Sequence, residues 1–417
     1  MNMKKHFWIA GVLTGLLGAC SPASQKDKSE GQINVLPAFE NLTELKVSHL
    51  GKNIRYVPLE TTDSSLVTGM QVRLLNDKIV IGSGGRSDRH CFLFDRESGK
   101  FIREIAQYGQ GPKDFTFSLP TIHPVTDHLY FRRIPGKLLE YNQEGKFLGE
   151  ISMRELQSRS FTPFFGETEM FVYEGNTAAK PEINGCLYQC DAATGKMDTI
   201  ALFLQKVNFQ DKKIKSMEAY SGIDKYGLFG YHGNFMLEYQ DGTKIFYPSK
   251  FHVLWSLGKE VHFREVFSDT VFCVKDGALE PDLVFDLGER HFPIEKHGEV
   301  EGTKEYLVVT YVMEASDKVY FQCVKDMYGE FQFFNGLYWR EDGKVLMGKG
   351  DFTDDLTNFI PFRPIVHTDK GEFVGILKVE NIQEWLEEHP ETKLEGALAP
   401  LKDLAFDANP VVVIVEP

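Results

Sequence analysis

Residues 91–105 read Cys91-Phe-Leu-Phe-Asp-Arg-Glu-Ser-Gly99-Lys-Phe-Ile-Arg-Glu-Ile105. The segment is an apolar strand, a polar turn, a Gly-Lys pair and a second strand. Glycine supplies the positive φ that such a tight turn requires. The same hairpin returns as Leu138-Leu-Glu-Tyr-Asn-Gln-Glu-Gly145-Lys-Phe-Leu-Gly-Glu-Ile151 and as Cys186-Leu-Tyr-Gln-Cys-Asp-Ala-Ala-Thr-Gly195-Lys-Met-Asp-Thr-Ile200. Its glycines lie 46 and then 50 residues apart, the length of one four-stranded repeat unit.

Looser copies follow at Phe251-His-Val-Leu-Trp-Ser-Leu-Gly258-Lys and Gly336-Leu-Tyr-Trp-Arg-Glu-Asp-Gly343-Lys. Runs such as Lys78–Gly82 and His128–Arg132 supply further strands between them. Short Val-, Ile-, Phe- and Tyr-rich runs punctuated by Gly and Pro fill the chain almost to residue 380, the pattern of an all-β protein. The repeat predicts a six-bladed β-propeller over residues 33–417, with blades near 66–106, 115–152, 160–204, 242–288, 304–350 and 358–416. Insertions are expected at 205–235 and 289–303. Near the C-terminus the pattern changes. Asn381–His389 and Ala397–Phe406 read as short helices, and Val411–Val415 as a buried strand. Asn53–Leu59 is the candidate to share a sheet with that last strand, because pairing the two chain ends removes an open sheet edge.

The N-terminal segment has a different character. Lys4 and Lys5 precede an apolar run from Phe7 to Leu17, and Leu17-Gly-Ala-Cys20 follows. The run is too short to span a bilayer, which takes ~20 residues in a helix. Basic start, short apolar core and small residues mark a secretory signal. The tetrapeptide resembles the bacterial lipobox, so residues 1–20 are expected to be a lipoprotein signal peptide, with Cys20 the lipidated residue. Residues 21–32 are polar and form the expected flexible tether of ~20 Å. The protein is therefore expected to be exported and lipid-anchored to the outer membrane, periplasmic or surface-facing, touching the membrane through its lipid only.

The chain of 417 residues carries a formal net charge of −14 and no basic stripe, which argues against nucleic acid as a partner. Besides Cys20 there are five cysteines, Cys91, Cys186, Cys190, Cys273 and Cys323. The odd number excludes a full disulfide framework. Cys186 and Cys190, on one strand, would stand ~13 Å apart, beyond disulfide reach. All five read as small buried hydrophobes. The 33 phenylalanines read as packing between blades.

Residues 109–147, with Gly109-Gln-Gly-Pro-Lys-Asp-Phe115, Pro120, His128-Leu-Tyr130 and the terminal Gly145-Lys-Phe147, resemble the NHL repeat, a propeller blade. More broadly the chain resembles the six-bladed β-propeller lipoproteins of Gram-negative bacteria, a family largely without assigned function. The resemblance rests on Tyr56-Val-Pro-Leu-Glu-Thr61, Gly109–Phe115, Ser268-Asp-Thr-Val-Phe272, Pro281-Asp-Leu-Val-Phe-Asp-Leu-Gly288 and Asn409-Pro-Val-Val-Val-Ile414. Lys113 and Asp114 stand where the family usually has Gly and an acid. The resemblance implies a fold and a location, and no catalytic residue.

No zinc-protease, nucleophile-elbow, phosphate-loop or complete calcium-loop motif is present. His123 with His128 reads as a surface turn rather than a metal site, and Asp351, Asp354 and Asp355 as a solvated loop rather than a Ca²⁺ site. No cofactor and no metal is expected. Ligands of propellers usually meet loops at one mouth of the channel, and those loops carry Arg86, Arg132, Arg133, Tyr231, His232 and Arg363. They are the candidate ligand-binding residues, since Arg and Tyr are enriched at binding hot spots. The expected function is a binding or scaffolding module for an envelope protein or a glycan; the rival is a glycan lyase or hydrolase at the propeller mouth. Cys20→Ala should move the protein from the membrane to the soluble fraction of lysed cells. A mutant that still sediments with membranes would refute the lipid anchor.

Overall fold

In the computed structural model, the described residues are 31–417 apart from 86–87, 154–155, 157–160, 175–184, 203–211, 221–233, 249–252, 266 and 331. Cys20 lies outside them. The fold is mostly β, with seven small sheets among the described residues and few helices.

Six sheets follow the predicted repeat. Sheet 1 holds Met70–Leu74, Lys78–Gly84, Arg89–Asp95 and Phe101–Glu104. Sheet 2 holds Thr121–Ile122, Leu129–Arg133, Lys137–Tyr141 and Phe147–Ser152. Sheet 3 holds Phe161–Phe165, Met170–Glu174, Cys186–Cys190 and Met197–Ile200. Sheet 4 holds Leu254–Leu257, Glu260–Phe263, Thr270–Lys275 and Ala278–Asp286. Sheet 5 holds Leu307–Glu314, Lys318–Lys325, Gln332–Trp339 and Val345–Lys349. In each of the five the strands follow one another in sequence order and pair antiparallel. Glycines 99, 145, 195, 258 and 343, the repeat's turn positions, all have positive φ, between 60° and 80°.

Sheet 6 joins the two ends of the fold. Val366–His367, Phe373–Leu377 and Val411–Glu416 are continued by Asn53–Pro58, paired antiparallel from Asn53 opposite Glu416 to Pro58 opposite Val411. Asn409 fastens this seam: its amide donates to the carbonyls of Glu60 (2.8 Å) and Ser65 (2.7 Å), and its side-chain oxygen accepts from the Val67 amide.

The apolar cores lie between sheets. Phe92 and Ile81 of sheet 1 pack with Val374 and Ile414 of sheet 6. Leu93 and Val80 of sheet 1 meet Phe131 and Leu139 of sheet 2. Leu138 and Ile151 of sheet 2 meet Phe161 and Met170 of sheet 3. Phe171 and Leu187 of sheet 3 meet Val261 and Phe263 of sheet 4. Val271 and Phe285 of sheet 4 meet Val309 and Phe321 of sheet 5. Tyr311 and Tyr320 of sheet 5 meet Phe373 and Val413 of sheet 6. Strands buried on both faces explain why many runs are continuously apolar rather than alternating.

Three features depart from the sequence reading. A seventh sheet, Ile214–Tyr220, Asn234–Tyr239 and Lys244–Pro248, begins in the insertion expected at 205–235 and runs into the start of the blade expected at 242–288, whose own sheet begins only at Leu254. Its Met236 and Phe246 pack on Val308, Val324 and Phe292. At the N-terminal side, Gln32–Asn34 pairs parallel with Val284–Asp286, and a short helix, Val35–Glu40, follows it. Gln32 therefore belongs to the folded body, and helices are not confined to the C-terminus. Val35 and Ala38 are fixed by burial against sheets 4 and 5, a tertiary signal that local propensity does not carry. Finally, Val379–Glu388 is the expected helix, but only Gly396–Leu401 of the second one is helical, as a 3₁₀ turn containing Pro400.

Ile414 is fully buried between sheets 6 and 1. Ile414→Ala should cost ~2–5 kcal/mol in urea unfolding. Phe406→Ala, at a side chain 70% exposed, should stay within ~0.5 kcal/mol. Equal losses at the two positions would contradict the seam's role.

Candidate functional site

A cavity of about 380 Å³ opens where the first strands of sheets 1, 2, 3, 4 and 6 come together. Its wall includes Arg73, Thr162, Trp255, His367, Asp369 and the Arg96–Glu372 pair. Each first strand is short and leads into a tight hairpin, so five loops end around one opening. The strands bring polar side chains inward at positions that their apolar neighbours fix: Arg73 follows buried Val72, and His367 follows buried Val366.

The Arg96 guanidinium and Glu372 carboxylate form a buried ion pair between sheets 1 and 6. Arg96 also donates to the Leu75 carbonyl at 3.2 Å, and Glu372 accepts from Thr368 Oγ1 at 2.8 Å. With both charges matched, this pair braces the wall and has little left to offer a ligand. His367 is different. Burial pushes its pKa down to about 4, against a smaller opposing pull from Glu314, so the ring is neutral at pH 7. Asp369 reaches solvent at the rim, yet the surrounding walls raise its carboxyl above the usual range.

Three arginines form the other notable group. Arg132, at the end of Leu129–Arg133, donates to the carbonyl of Phe161, whose strand continues into the cavity wall, at 2.7 Å. Its guanidinium lies 4.0 Å from the Phe117 ring centroid. Arg89 sits against Phe117 and Tyr108, 5.5 and 5.3 Å from their centroids, and donates to the carbonyls of Gly85 (2.9 Å) and Thr116. Burial first, then the positive charges of Arg89 and Arg73, push the Arg132 pKa down to about 10. All three guanidiniums hydrogen-bond only to backbone carbonyls and form no ion pair among the described residues. In a chain of net charge −14 this is an uncompensated cationic cluster.

Arg132 is thus brought into the cluster, whereas Arg133 and Arg363 are occupied elsewhere. Arg133 ties down the Gly109–Phe115 loop through the carbonyls of Gly111, Asp114 (2.7 Å) and Gln110 (3.1 Å). Arg363 makes a two-pronged contact with Asp351, at 2.7 and 3.1 Å. Arg86, Tyr231 and His232 lie outside the described residues. The acidic group is divided: Asp354 accepts from Tyr56 and from the amides of Leu356 and Thr357, and Asp355 from Ser48. Asp354 is buried rather than solvated, which corrects the loop reading there. His123 accepts from the Val125 amide while His128 contacts Glu140, two separate roles on one turn. Cys91, Cys190, Cys273 and Cys323 are buried free thiols, and Cys186 is partly buried. Sequence reasoning missed Arg73, Arg89 and His367. The signal available was a charged residue breaking an otherwise apolar strand, as in Met70-Gln-Val-Arg-Leu74. It also missed His262, Asp282 and Glu314, which converge from two strands of sheet 4 and one of sheet 5.

No curated protein matches the chain. Among solved structures, a protein of Bacteroides fragilis described as exported is 15% identical, with a TM-score of 0.51, covering 89% of this chain and 97% of its own. At this identity the likeness extends to the fold alone. A DUF4221-family member from Bacteroides vulgatus, 14% identical, covers 88% of this chain and 96% of its own with a TM-score of 0.38. His367→Gln should flatten the acid side of the stability profile: the unfolded ring binds protons near 6.5 and the folded ring near 4, so wild-type stability falls as pH drops across that window. Thermal melts from pH 7 to pH 4 check this, and parallel profiles for the two proteins would contradict it. By sequence, the chain belongs to the family described as a domain of unknown function, DUF4934, whose profile matches residues 30–416.

Proposed function

We propose that this DUF4934 protein is an exported binding module whose central channel takes an acidic glycan. Sheets 1 to 6 are read as the blades of a propeller. That reading is supported by the six interfacial cores, which link each sheet to the next and sheet 6 back to sheet 1. The three-stranded sheet at 214–248 then sits outside the ring as an insertion. Export is supported by the signal-like residues 1–20 and by the description of the Bacteroides fragilis neighbour. Lipidation at Cys20 would hold the ring at the outer membrane.

One observation carries the ligand class: Arg73, on the cavity wall, crowds together with Arg89 and Arg132, and none of the three forms an ion pair among the described residues. A carboxylate or sulfate among them would relieve mutual repulsion and gain charge-assisted hydrogen bonds. The cavity's 380 Å³ falls within the range of small-ligand sites and is too small to enclose a folded partner. Trp255, Phe164 and Phe165 on the wall and Phe117 beside the arginines offer apolar faces to sugar rings. An envelope protein could still engage the outer rim, but nothing in the cavity favours it.

A second reading, a glycan lyase, draws on His367, which is neutral at pH 7 and faces the same cavity as Asp369. The test is calorimetric titration of the purified protein with oligogalacturonate and with a neutral oligosaccharide of the same length. The acidic sugar should bind more tightly, its affinity should fall with salt, and Arg132→Gln should weaken it by ~10-fold or more. Equal binding of both sugars, or none, would overturn the proposal. Formation of an unsaturated product, lost in His367→Gln, would establish the lyase.

A further inference from the structure

Between sheets 4 and 5 lies a polar cluster that the arginine channel does not use. His262, on Glu260–Phe263, is 1% exposed, and Glu314, the last residue of Leu307–Glu314, has a side chain with no exposed surface. Asp282, on Ala278–Asp286, stands at the edge with its side chain 36% exposed. His262 Nδ1 is 2.6 Å from Glu314 Oε2 and 3.9 Å from Asp282 Oδ2. The contacts are close, yet neither ring nitrogen of His262 and neither oxygen of Glu314 makes a hydrogen bond of acceptable geometry. Four buried polar atoms left in this state would each cost ~1–3 kcal/mol. Three strands hold them there, so the cost is not relieved by a shift of a loop.

We propose that His262, Asp282 and Glu314 form a divalent metal site that staples sheet 4 to sheet 5. One ligand atom from each of the three residues falls within a common 4.8 Å limit. Ligands on a tetrahedral ion with bonds of ~2.1 Å stand ~3.4 Å apart, a value that the two measured separations bracket. An imidazole with two carboxylates suits Zn²⁺ or a similar borderline cation. Arg340 Nη2, 3.4 Å from Glu314 Oε2, holds the carboxylate from outside. The two carboxylates outweigh its single charge. On the far side of the ring, Glu260 Oε2 lies 4.0 Å from His262 Nε2, where an outer carboxylate would orient a metal-bound histidine. The partly exposed Asp282 gives the ion its way in.

The test uses Zn²⁺ itself. The purified protein is stripped with chelator, dialysed against Zn²⁺, and its metal content measured by plasma mass spectrometry alongside a thermal melt. The expected result is one ion per chain and a higher melting temperature. His262→Ala and Asp282→Asn should each reduce affinity at least ~10-fold. Asp282→Asn keeps the test sound if His262→Ala fails to fold, because Asp282 sits at the edge. No retained Zn²⁺ would overturn the proposal, leaving a buried His–Glu pair. Binding unchanged by Asp282→Asn would overturn it as well. So would binding lost in Cys273→Ser but kept in Asp282→Asn, which would move the ion to Glu260 and Cys273 on the other side of the imidazole.

Discussion

Val411–Glu416 lies between Phe373–Leu377 and Asn53–Pro58, so the last strand of the chain is held on both sides, once by its neighbour in sequence and once by residues more than 350 positions earlier. A terminal strand without that second partner would present an open row of amides and carbonyls. With it, the cores on both sides of sheet 6 are completed, one to sheet 1 through Ile414 and one to sheet 5 through Val413. The other sheets depend on this seam indirectly, because each is buried against two neighbours and none has a large core of its own. Loop-closure entropy over so long a separation is modest in its growth with length, so burial of the valine-rich strand suffices to hold it.

The proposed function follows from what such packing leaves at the cavity where the first strands of five sheets meet. First strands converge there, and their side chains have no further sheet to pack against. Hydrophobic residues fill the spaces between sheets, and Arg73, His367, Asp369 and the Arg96–Glu372 pair line the cavity. Some are matched within the protein, as in Arg96 with Glu372. Arg73 on the same wall is not: with Arg89 and Arg132, which lie outside the cavity's lining, it hydrogen-bonds only to backbone carbonyls among the described residues, and burial together with the neighbouring positive charges disfavours the charged Arg132. A protein this acidic has carboxylates to spare, so three neighbouring guanidiniums that form no ion pair among the described residues are the feature on which the proposal of an anionic ligand rests. Aromatic rings beside them keep the groups in place without neutralising them.

Much of the architecture was legible in the sequence because it is local and repeated. The Gly-Lys hairpins at 99, 145 and 195 gave register and unit length, and Val411–Val415 announced itself by composition. The pairing of Asn53–Leu59 with that strand was legible too, since an unmatched strand at each chain end implies a shared sheet. The first strand of the inserted sheet was not, because Ile214–Tyr220 reads Ile-Lys-Ser-Met-Glu-Ala-Tyr, with weak β character, although the hairpin that follows carries a turn glycine, Gly242, at φ 86°. Of the ligand-binding residues chosen from sequence, Arg132 joins the cluster. Arg133 and Arg363 do not, for a reason no local pattern carries: one is taken by loop carbonyls and the other by Asp351. The converging set His262, Asp282 and Glu314 depends on two sheets meeting, which is tertiary information throughout.

The most direct measurement is a crystal structure of the protein soaked with an oligogalacturonate. The account predicts sugar density inside the channel, with a carboxylate within ~2.7–2.9 Å of a guanidinium of Arg73, Arg89 or Arg132. A sugar bound only on the outer faces, with the three arginines still contacting backbone carbonyls alone, would contradict it.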